Sequence, residues 1–478
     1  MIEKRQFYID GAWVDPIDGH DLKVIDPSTE RPCAVISLAG RADVDRAVAA
    51  AKAALPGWMS TSPSDRIASV ERFLTAYERR MEDVAQAVSL EMGAPIDLAR
   101  RAQAPLAVKH TKGFLAAARG FSFEQLLSAE DPGTRIIHEA VGVCALITPW
   151  NWPLNQISLK TIAALIAGCT MVLKPSEESP LSALVYAECM DAAGLPKGVF
   201  NLVNGDGAGA GTMLTTHPDV DMVSFTGSTR AGVAISKAAA DTLKRVHLEL
   251  GGKGANLIFA DADPKAVERG VRQMMNNSGQ SCNAPSRMLV QREIYERAVR
   301  TAAEVAGSLT VGPPSQEGAH LGPVVNRAQW DKIQTLIQTG MAEGARLVAG
   351  GPGLPADTNS GFYVRPTVFA DATNEMTIAR EEIFGPVLTM IPFDTEDEAV
   401  AIANDTPYGL TNYVQTADPE RARRVARALR SGMVEVNGVP RGPGAPFGGM
   451  KQSGNGREAG IWGLHDFLEV KAVGGWSA

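Results

Sequence analysis

Of the five cysteines in the sequence, Cys282 stands among small polar neighbours, in Asn277-Ser-Gly-Gln-Ser-Cys-Asn283, where the others lie in apolar or helical contexts. A nucleophilic thiol needs access, a stabilised thiolate and room for a substrate, and a polar turn containing glycine can supply all three. The competing reading is an exposed turn cysteine without a role. Cys144 and Cys169 sit in apolar runs and read as buried and inert. A thiol usually works with a base, yet the seven histidines offer no obvious partner: His247 lies inside an apolar strand and the rest are scattered. Glu249 is the better candidate, closing Val246-His-Leu-Glu-Leu250 just before Gly251-Gly252. A carboxylate there falls at the carboxyl end of a parallel strand, where open α/β sheets place ligands. Taken alone, such a glutamate is equally a solvated strand end.

Thr148-Pro-Trp-Asn-Trp-Pro153 sets an amide between two tryptophans and two prolines, and so rigid a turn holds its side chains still. Asn151 is then a candidate donor to a developing oxyanion, a task that rewards preorganisation more than donor strength. Alternatively the tryptophans anchor the core and Asn151 caps the next helix. Leu173-Lys-Pro-Ser-Glu177 offers Lys174 and Glu177 three residues apart, suited to the hydroxyls of a dinucleotide's adenosine ribose, or else a solvated surface pair. Gly227 and Ser228, in Phe225-Thr-Gly-Ser-Thr-Arg-Ala-Gly232, open a helix whose free N–H groups would bind pyrophosphate, or simply cap it. Gly205-Asp-Gly-Ala-Gly-Ala-Gly211, with Gly207, has the look of a phosphate cradle. Ala210 stands where the third glycine of GxGxxG belongs, so a flexible connection is the better reading.

These groups need a scaffold. The first 120 residues hold helical patterns, from Asp43 to Leu55, Pro63 to Leu90 and Asp97 to Ala118. From Val141 the texture changes to β-branched runs alternating with helical ones: Val141 to Thr148, Thr170 to Leu173, Val199 to Val203, Met222 to Thr226 and Val246 to Leu250. That alternation predicts a parallel sheet with crossover helices. A second such series begins near Ala255, with Asp263-Pro264 opening a helix over Lys265 to Met275, and continues past Val387. Gly350 to Gly361 reads as a surface loop, and Pro440 to Gly456 as a loop shaped around something.

The 478 residues suggest about three domains at roughly 150 each. With 45% hydrophobic and 21% charged residues the chain has an ordinary globular composition, which excludes disordered, collagen-like and disulfide-scaffold classes. A net charge of −8 without a long basic run argues against nucleic acid as a partner. The amino-terminal stretch lacks the apolar segment of a secretory signal and reads as mature protein, and the most apolar window, Thr161 to Leu173, falls short of the roughly 20 residues a membrane span needs. An odd set of cysteines without CxxC or Cys/His spacing fits neither a disulfide framework nor a zinc site. The cytoplasm is the expected compartment.

In this order and spacing, TPWNWP (148 to 153), KPSE (174 to 177), FTGSTRAG (225 to 232), LELGGK (248 to 253), GQSC (279 to 282), EEIFGPV (381 to 387) and PFGGMKQSGNGRE (446 to 458) resemble the aldehyde dehydrogenase superfamily over nearly the whole chain. The resemblance implies an α/β fold, with a Rossmann-like cofactor domain (1–120 and 139–250), an α/β catalytic domain (251–437), and a small β hairpin for oligomerisation (121–138, with 463–478). A return segment (438–462) then borders the substrate tunnel. It implies Cys282 as nucleophile, Glu249 as general base, and Asn151 with the Cys282 N–H as oxyanion donors. Thr148, Trp150, Lys174, Glu177, Gly207, Gly227, Ser228 and Leu250 would hold the dinucleotide, with Glu382 and Phe384 at its nicotinamide ribose and ring. The implied reaction is oxidation of an aldehyde to a carboxylic acid, and the presence of Glu249 favours hydrolysis over the acyl-coenzyme A-forming or reductive thioester-forming alternative. Glu177 favours NAD over NADP, since a carboxylate beside the 2′-hydroxyl repels a 2′-phosphate. The tunnel positions carry Asn155, Gln156, Ser281, Asn283 and Arg441, polar choices that suit an aldehyde with a distal polar or carboxylate group. Arg441 is alternatively a solvated loop residue. The resemblance also implies a homodimer or homotetramer, since both use the same hairpin.

Overall fold

The computed structural model describes every residue except Pro132, Asp357, Ser477 and Ala478, so the corresponding points of the hairpin, the Gly350 to Gly361 loop and the tail lie outside the described residues. Two seven-stranded sheets dominate. The first runs in the order Arg245–Glu249, Met222–Thr226, Val143–Ile147, Thr170–Lys174, Phe200–Leu202, Phe7–Ile9, Ala12–Val14. Its first five strands are parallel, and all residues of Val143–Ile147, Thr170–Lys174 and Met222–Thr226 are buried, as expected of strands covered by helices on both faces. The chain winds outward from Val143–Ile147 through Thr170–Lys174 to Phe200–Leu202, then returns to the other flank at Met222–Thr226. Neighbouring crossovers therefore diverge between Val143–Ile147 and Met222–Thr226, which opens a crevice at the carboxyl ends of those strands. Thr148 to Asn151, Gly227, Ser228 and Glu249 all follow or close strands at that edge.

The second sheet is ordered Arg346–Ala349, Thr367–Ala370, Val387–Phe393, Arg287–Gln291, Ala255–Ile258, Thr411–Gln415, Met433–Val436, parallel except at Arg346–Ala349. The helix Ala266–Met275 follows the strand Ala255–Ile258, beginning one residue later than the sequence pattern suggests. A small antiparallel sheet joins Leu468–Val473, Arg135–Ala140 and Glu124–Leu126, so the expected hairpin does pair with the tail. Its tail strand starts only after the helix Gly460–Asp466.

Strands that the sequence patterns do not announce precede the first helix: Ile2–Lys4, Phe7–Ile9, Ala12–Val14, His20–Asp26 and Arg31–Leu38, three of them forming a separate sheet in the order Ile2–Lys4, Arg31–Leu38, His20–Asp26. One expectation needs correction. The run from Pro63 to Leu90 is two helices, Pro63–Glu78 and Met81–Met92. They part at Arg80, whose φ of −111° leaves the helical range while its guanidinium bonds Asp83 and, at 3.0 Å, Glu188 on a neighbouring helix. Among the described residues no helix is long and apolar enough to cross a membrane.

Candidate active site

Cys282 is presented by a sharp bend. After the helix Ala266–Met275, Asn277 and Ser278 adopt left-handed backbone (φ 52° and 55°), and Gly279 follows at φ 72°. A Cβ on Gly279 would lie 2.1 Å from the Gly385 carbonyl, so only glycine fits against the loop that carries Glu382 and Phe384. The bend delivers Cys282 to a cavity of about 200 Å³ that also exposes Trp150, Asn151, Gln156, Thr226, Gly227, Ser228, Leu250, Glu382 and Phe384. Segments from both large sheets thus meet at one sulfur.

Asn151 is buried, and its side-chain N–H donates to the Gln280 carbonyl at 3.0 Å, leaving its second N–H for another acceptor. It does not cap the following helix Pro153–Ala167, whose cap position is Trp152. Trp152 Nε1 instead donates to Ser281 Oγ at 2.8 Å. Glu249 ends the strand Arg245–Glu249 fully buried, and neither carboxylate oxygen has a hydrogen-bond partner. It is no solvated strand end. A Cβ on Gly448 would stand 2.6 Å from Glu249 Oε1, so the Phe447-Gly-Gly449 backbone closes directly over the carboxylate. Burial, and then the negative charge of Glu458, hold Glu249 well above the usual carboxylate range, with Lys160 opposing. Lys160 and Glu458 are themselves a buried pair at 2.7 Å. The Cys282 thiol is pushed up by burial and by the carboxylates of Glu382, Glu249 and Glu458, so it holds its proton at neutral pH. His247 Nδ1 bonds Ser224 at 2.9 Å and its Nε2 lies 3.1 Å from Asp466 Oδ2, so the ring is engaged within its own lobe.

The dinucleotide positions divide. Lys174 is buried and donates to the carbonyls of Pro175 (2.8 Å) and Gly205 (2.6 Å), with Glu177 Oε2 at 3.7 Å and partly open to solvent. Ser228 caps the helix Thr229–Ala239 by accepting from the Ala231 N–H, and the Gly227 N–H is spent on the Glu249 carbonyl at 3.1 Å. Buried hydroxyls of Thr148 and Thr226 lack partners at the same edge, which fits a polar ligand lying there. Glu382 accepts from the Gly252 N–H at 2.9 Å, and Phe384, at φ 59°, meets Trp150 edge-on at 5.4 Å. Left-handed backbone at an aromatic residue costs on the order of 1 kcal/mol, which Gln329 Nε2 offsets by donating to the Ile383 and Phe384 carbonyls, both at 2.9 Å. Gly207 is exposed at the start of a turn capped by Asp206 and does not border the cavity.

The tunnel positions are dispersed. Asn155 Oδ1 pairs with His110 Nε2 at 2.6 Å, and the Asn283 carbonyl accepts from Tyr413 at 2.6 Å. Arg441 lines a separate cavity of about 150 Å³ with His110 and Phe447, its guanidinium already held by Glu435 at 3.2 Å and the Pro446 carbonyl at 3.1 Å. It is neither fully solvated nor free. Gln329 and Lys332, on the helix Arg327–Ala342, line the Cys282 cavity unforeseen; their i, i+3 spacing is that of any exposed helix face. A larger cavity, about 590 Å³ between Met81–Met92 and Pro180–Ala192, contains none of the site residues.

A doubly wound crevice facing a cysteine from a second α/β sheet defines the class, and the chain belongs to the aldehyde dehydrogenase family, whose sequence model matches residues 13–473. It is 51% identical to a 3-succinoylsemialdehyde-pyridine dehydrogenase from a Pseudomonas species, over 100% of this chain and 99% of that protein. Among solved structures it is similar to an aldehyde dehydrogenase from Bartonella henselae, at 58% identity, full coverage of both chains and a TM-score of 0.99. It is also similar to a mutant of aldehyde dehydrogenase C from Pseudomonas syringae, complexed with NAD+ and octanal, at 50% identity, 99% and 97% coverage and a TM-score of 0.97.

Proposed function

We propose that this enzyme uses NAD to oxidise an aldehyde to a carboxylic acid through a thiohemiacetal and a thioester on Cys282. The observation that carries the reading is the convergence of Cys282, Asn151, Gly227, Ser228, Glu382 and Phe384 on one cavity, with the unpartnered Glu249 beside it. Lys174, Glu177 and Ser228 would hold the adenosine and pyrophosphate, and Glu382 and Phe384 the nicotinamide end; when bound, the dinucleotide supplies the hydride acceptor. Cys282 gives its proton to solvent through the cavity and adds to the aldehyde carbon, while the free N–H of Asn151 and the Cys282 backbone N–H receive the developing oxyanion. Once the thioester has formed, Glu249 takes a proton from the attacking water, and the acid departs with the thiol restored. Acid formed from aldehyde and NAD without coenzyme A supports this reading; a strict requirement for coenzyme A would support the acylating alternative.

The raised proton affinities of Glu249 and Cys282 move the working limb of activity to higher pH than a solvated carboxylate and thiol would give. Both groups must shed a proton, so turnover rises as pH climbs through their elevated values and is lost as pH falls below them. Glu458→Gln removes a charge that raises Glu249 and frees Lys160 to stabilise its carboxylate, so the limb of the kcat–pH profile moves to lower pH. Leaving Lys160 buried without its partner costs about 3 kcal/mol of stability, read as a lowered denaturation midpoint. A limb that stayed in place would detach Glu458 from Glu249.

Glu177 carries the preference for NAD, since its carboxylate repels a 2′-phosphate, a repulsion that its partial exposure to solvent screens to about 1.4 kcal/mol. Glu177→Gln is expected to raise the NADP-to-NAD ratio of kcat/KM about tenfold. An unaltered ratio would remove Glu177 from cofactor choice.

For the substrate we favour an aldehyde with a distal neutral polar group. Gln156 Oε1 is buried without a partner at the edge of the Cys282 cavity, whereas Arg441, whose charge suggests a carboxylate, borders a separate cavity and is occupied by Glu435. The name of the Pseudomonas relative describes a pyridine-bearing semialdehyde and supports a polar substrate, while the octanal complex shows an aliphatic aldehyde on another. Gln156 Oε1 can only accept, so the distal group must donate: Gln156→Met is expected to lower the preference for 6-hydroxyhexanal over hexanal about tenfold, and Arg441→Ala to leave the preference for a carboxylate-bearing over an aliphatic aldehyde unchanged. The opposite pattern would restore the carboxylate.

The division of labour we propose assigns 1–120 and 139–250 to the cofactor, 251–437 to catalysis and 438–462 to the tunnel border. The segments 121–138 and 463–478 serve assembly into a homodimer or homotetramer, supported by exposed Leu126, Leu127 and Val470 on and beside the small sheet. Five unpaired cysteines fit a cytoplasmic setting.

A further inference from the structure

We infer that Gln103 is a positioning residue for the reaction, holding Asn151 in place through a network of buried amides; the inference rests on the reading of Asn151 as the oxyanion donor. Gln103 is fully buried and closes a widened turn, Ala99–Gln103, in which the Ala104 N–H reaches the Ala99 carbonyl five residues back. The turn interrupts an otherwise α-helical run between Ile96–Leu98 and Ala104–Arg119. Such an insertion turns the following side chains about the helix axis and recurs at functional sites.

Gln103 Nε2 donates to the Asn151 backbone carbonyl at 3.1 Å and lies 3.4 Å from Asn277 Oδ1. Asn277 Nδ2 donates to the same Asn151 carbonyl at 3.0 Å and to the Gln280 carbonyl at 3.2 Å. The Gln280 carbonyl also accepts the Asn151 side chain, and Gln280 is itself tied down through Nε2 to the Asn277 carbonyl (3.1 Å) and through Oε1 to the Val325 N–H (3.0 Å). A backbone carbonyl only accepts, so the Gln103 and Asn277 amides must turn their NH₂ groups toward Asn151, which fixes their orientation. Asn151 is therefore clamped at both ends: by Gln103 and Asn277 at its main chain, and by Gln280 at its side chain. Gln103 does not border the Cys282 cavity, so its influence on the reacting atoms passes through Asn151 and the cysteine bend.

An oxyanion donor contributes only where the oxyanion will form, and a displacement near 1 Å costs on the order of 10²-fold. Gln103→Met keeps the side-chain volume and removes the donor. It is expected to lower kcat/KM for the aldehyde about tenfold with an unchanged KM for NAD. In an Asn151→Ala background the same substitution is expected to change kcat/KM less than twofold, because the group it positions is gone. Equal losses in both backgrounds, or no loss with Asn151 present, would overturn the inference and leave Gln103 a core residue. If Asn151→Ala alone left kcat/KM undiminished, the oxyanion reading itself would fall, and this inference with it. Gln103→Asn, which is one methylene shorter and cannot span the same contacts, takes the same cycle should the methionine variant not fold, with the same outcomes deciding.

Discussion

Replacing Cys282 with serine is expected to lower kcat by about four orders of magnitude while dinucleotide and aldehyde still bind. A hydroxyl in the same place is far harder to deprotonate than a thiol, and the surroundings already disfavour charge on this atom: burial and three carboxylates raise the thiol's proton affinity. The loss should fall on kcat rather than on the KM for NAD, because Gly227, Ser228, Glu382 and Phe384 line the cavity independently of the sulfur. Stopped-flow absorbance for NADH, with calorimetry for dinucleotide binding, separates the two. A serine variant that kept even a tenth of the wild-type rate would mean that hydride leaves an aldehyde hydrate instead of a covalent adduct.

Glu249→Gln is expected to uncouple the two halves of the reaction. One equivalent of NADH per site appears rapidly, and steady turnover then slows by about 10²- to 10⁴-fold, since the thioester waits for a water that lacks its base. The carboxamide is nearly isosteric, so the Phe447-Gly-Gly449 backbone that presses on Glu249 should keep its place. An amide also stays neutral, which removes one of the charges that raise the Cys282 thiol. Thiol addition should therefore be undiminished or faster. Unchanged steady-state production of acid would remove Glu249 from its role, and loss of the rapid phase would move it to the activation of the thiol.

How much of this was legible in the residues follows from how local each signal is. The buried strands Val143–Ile147, Thr170–Lys174 and Met222–Thr226 announce themselves as β-branched runs, and Asn151, Glu249 and Cys282 each stand beside prolines or glycines that break such runs. Phe7–Ile9 and Ala12–Val14 are too short to carry a period. They exist as strands because Tyr8 pairs with Trp13 on one side and Leu202 on the other, contacts invisible from their own sequence. The same holds at the site. Glu382 and Phe384 were reached only through resemblance to a family, because their meaning lies in the Gly252 N–H and the Trp150 ring, each more than a hundred residues away. Gln329, Lys332 and Gln103 carry no signal of their own, since a polar residue on a helix looks alike whether it faces water or a catalytic loop. Arg441 shows the limit from the other side: its charge suggests a substrate anion, while its contact with Glu435, six residues earlier, appears only in the structure.

The most direct measurement is intact-protein mass spectrometry of the Glu249→Gln enzyme, mixed with aldehyde and NAD and quenched in acid during the rapid phase. A mass increase equal to the acyl group, mapped by proteolysis to the peptide containing Cys282, is the expected result. NADH formed in stoichiometric amount with no acyl group on that peptide, or with the label on another residue, would contradict it.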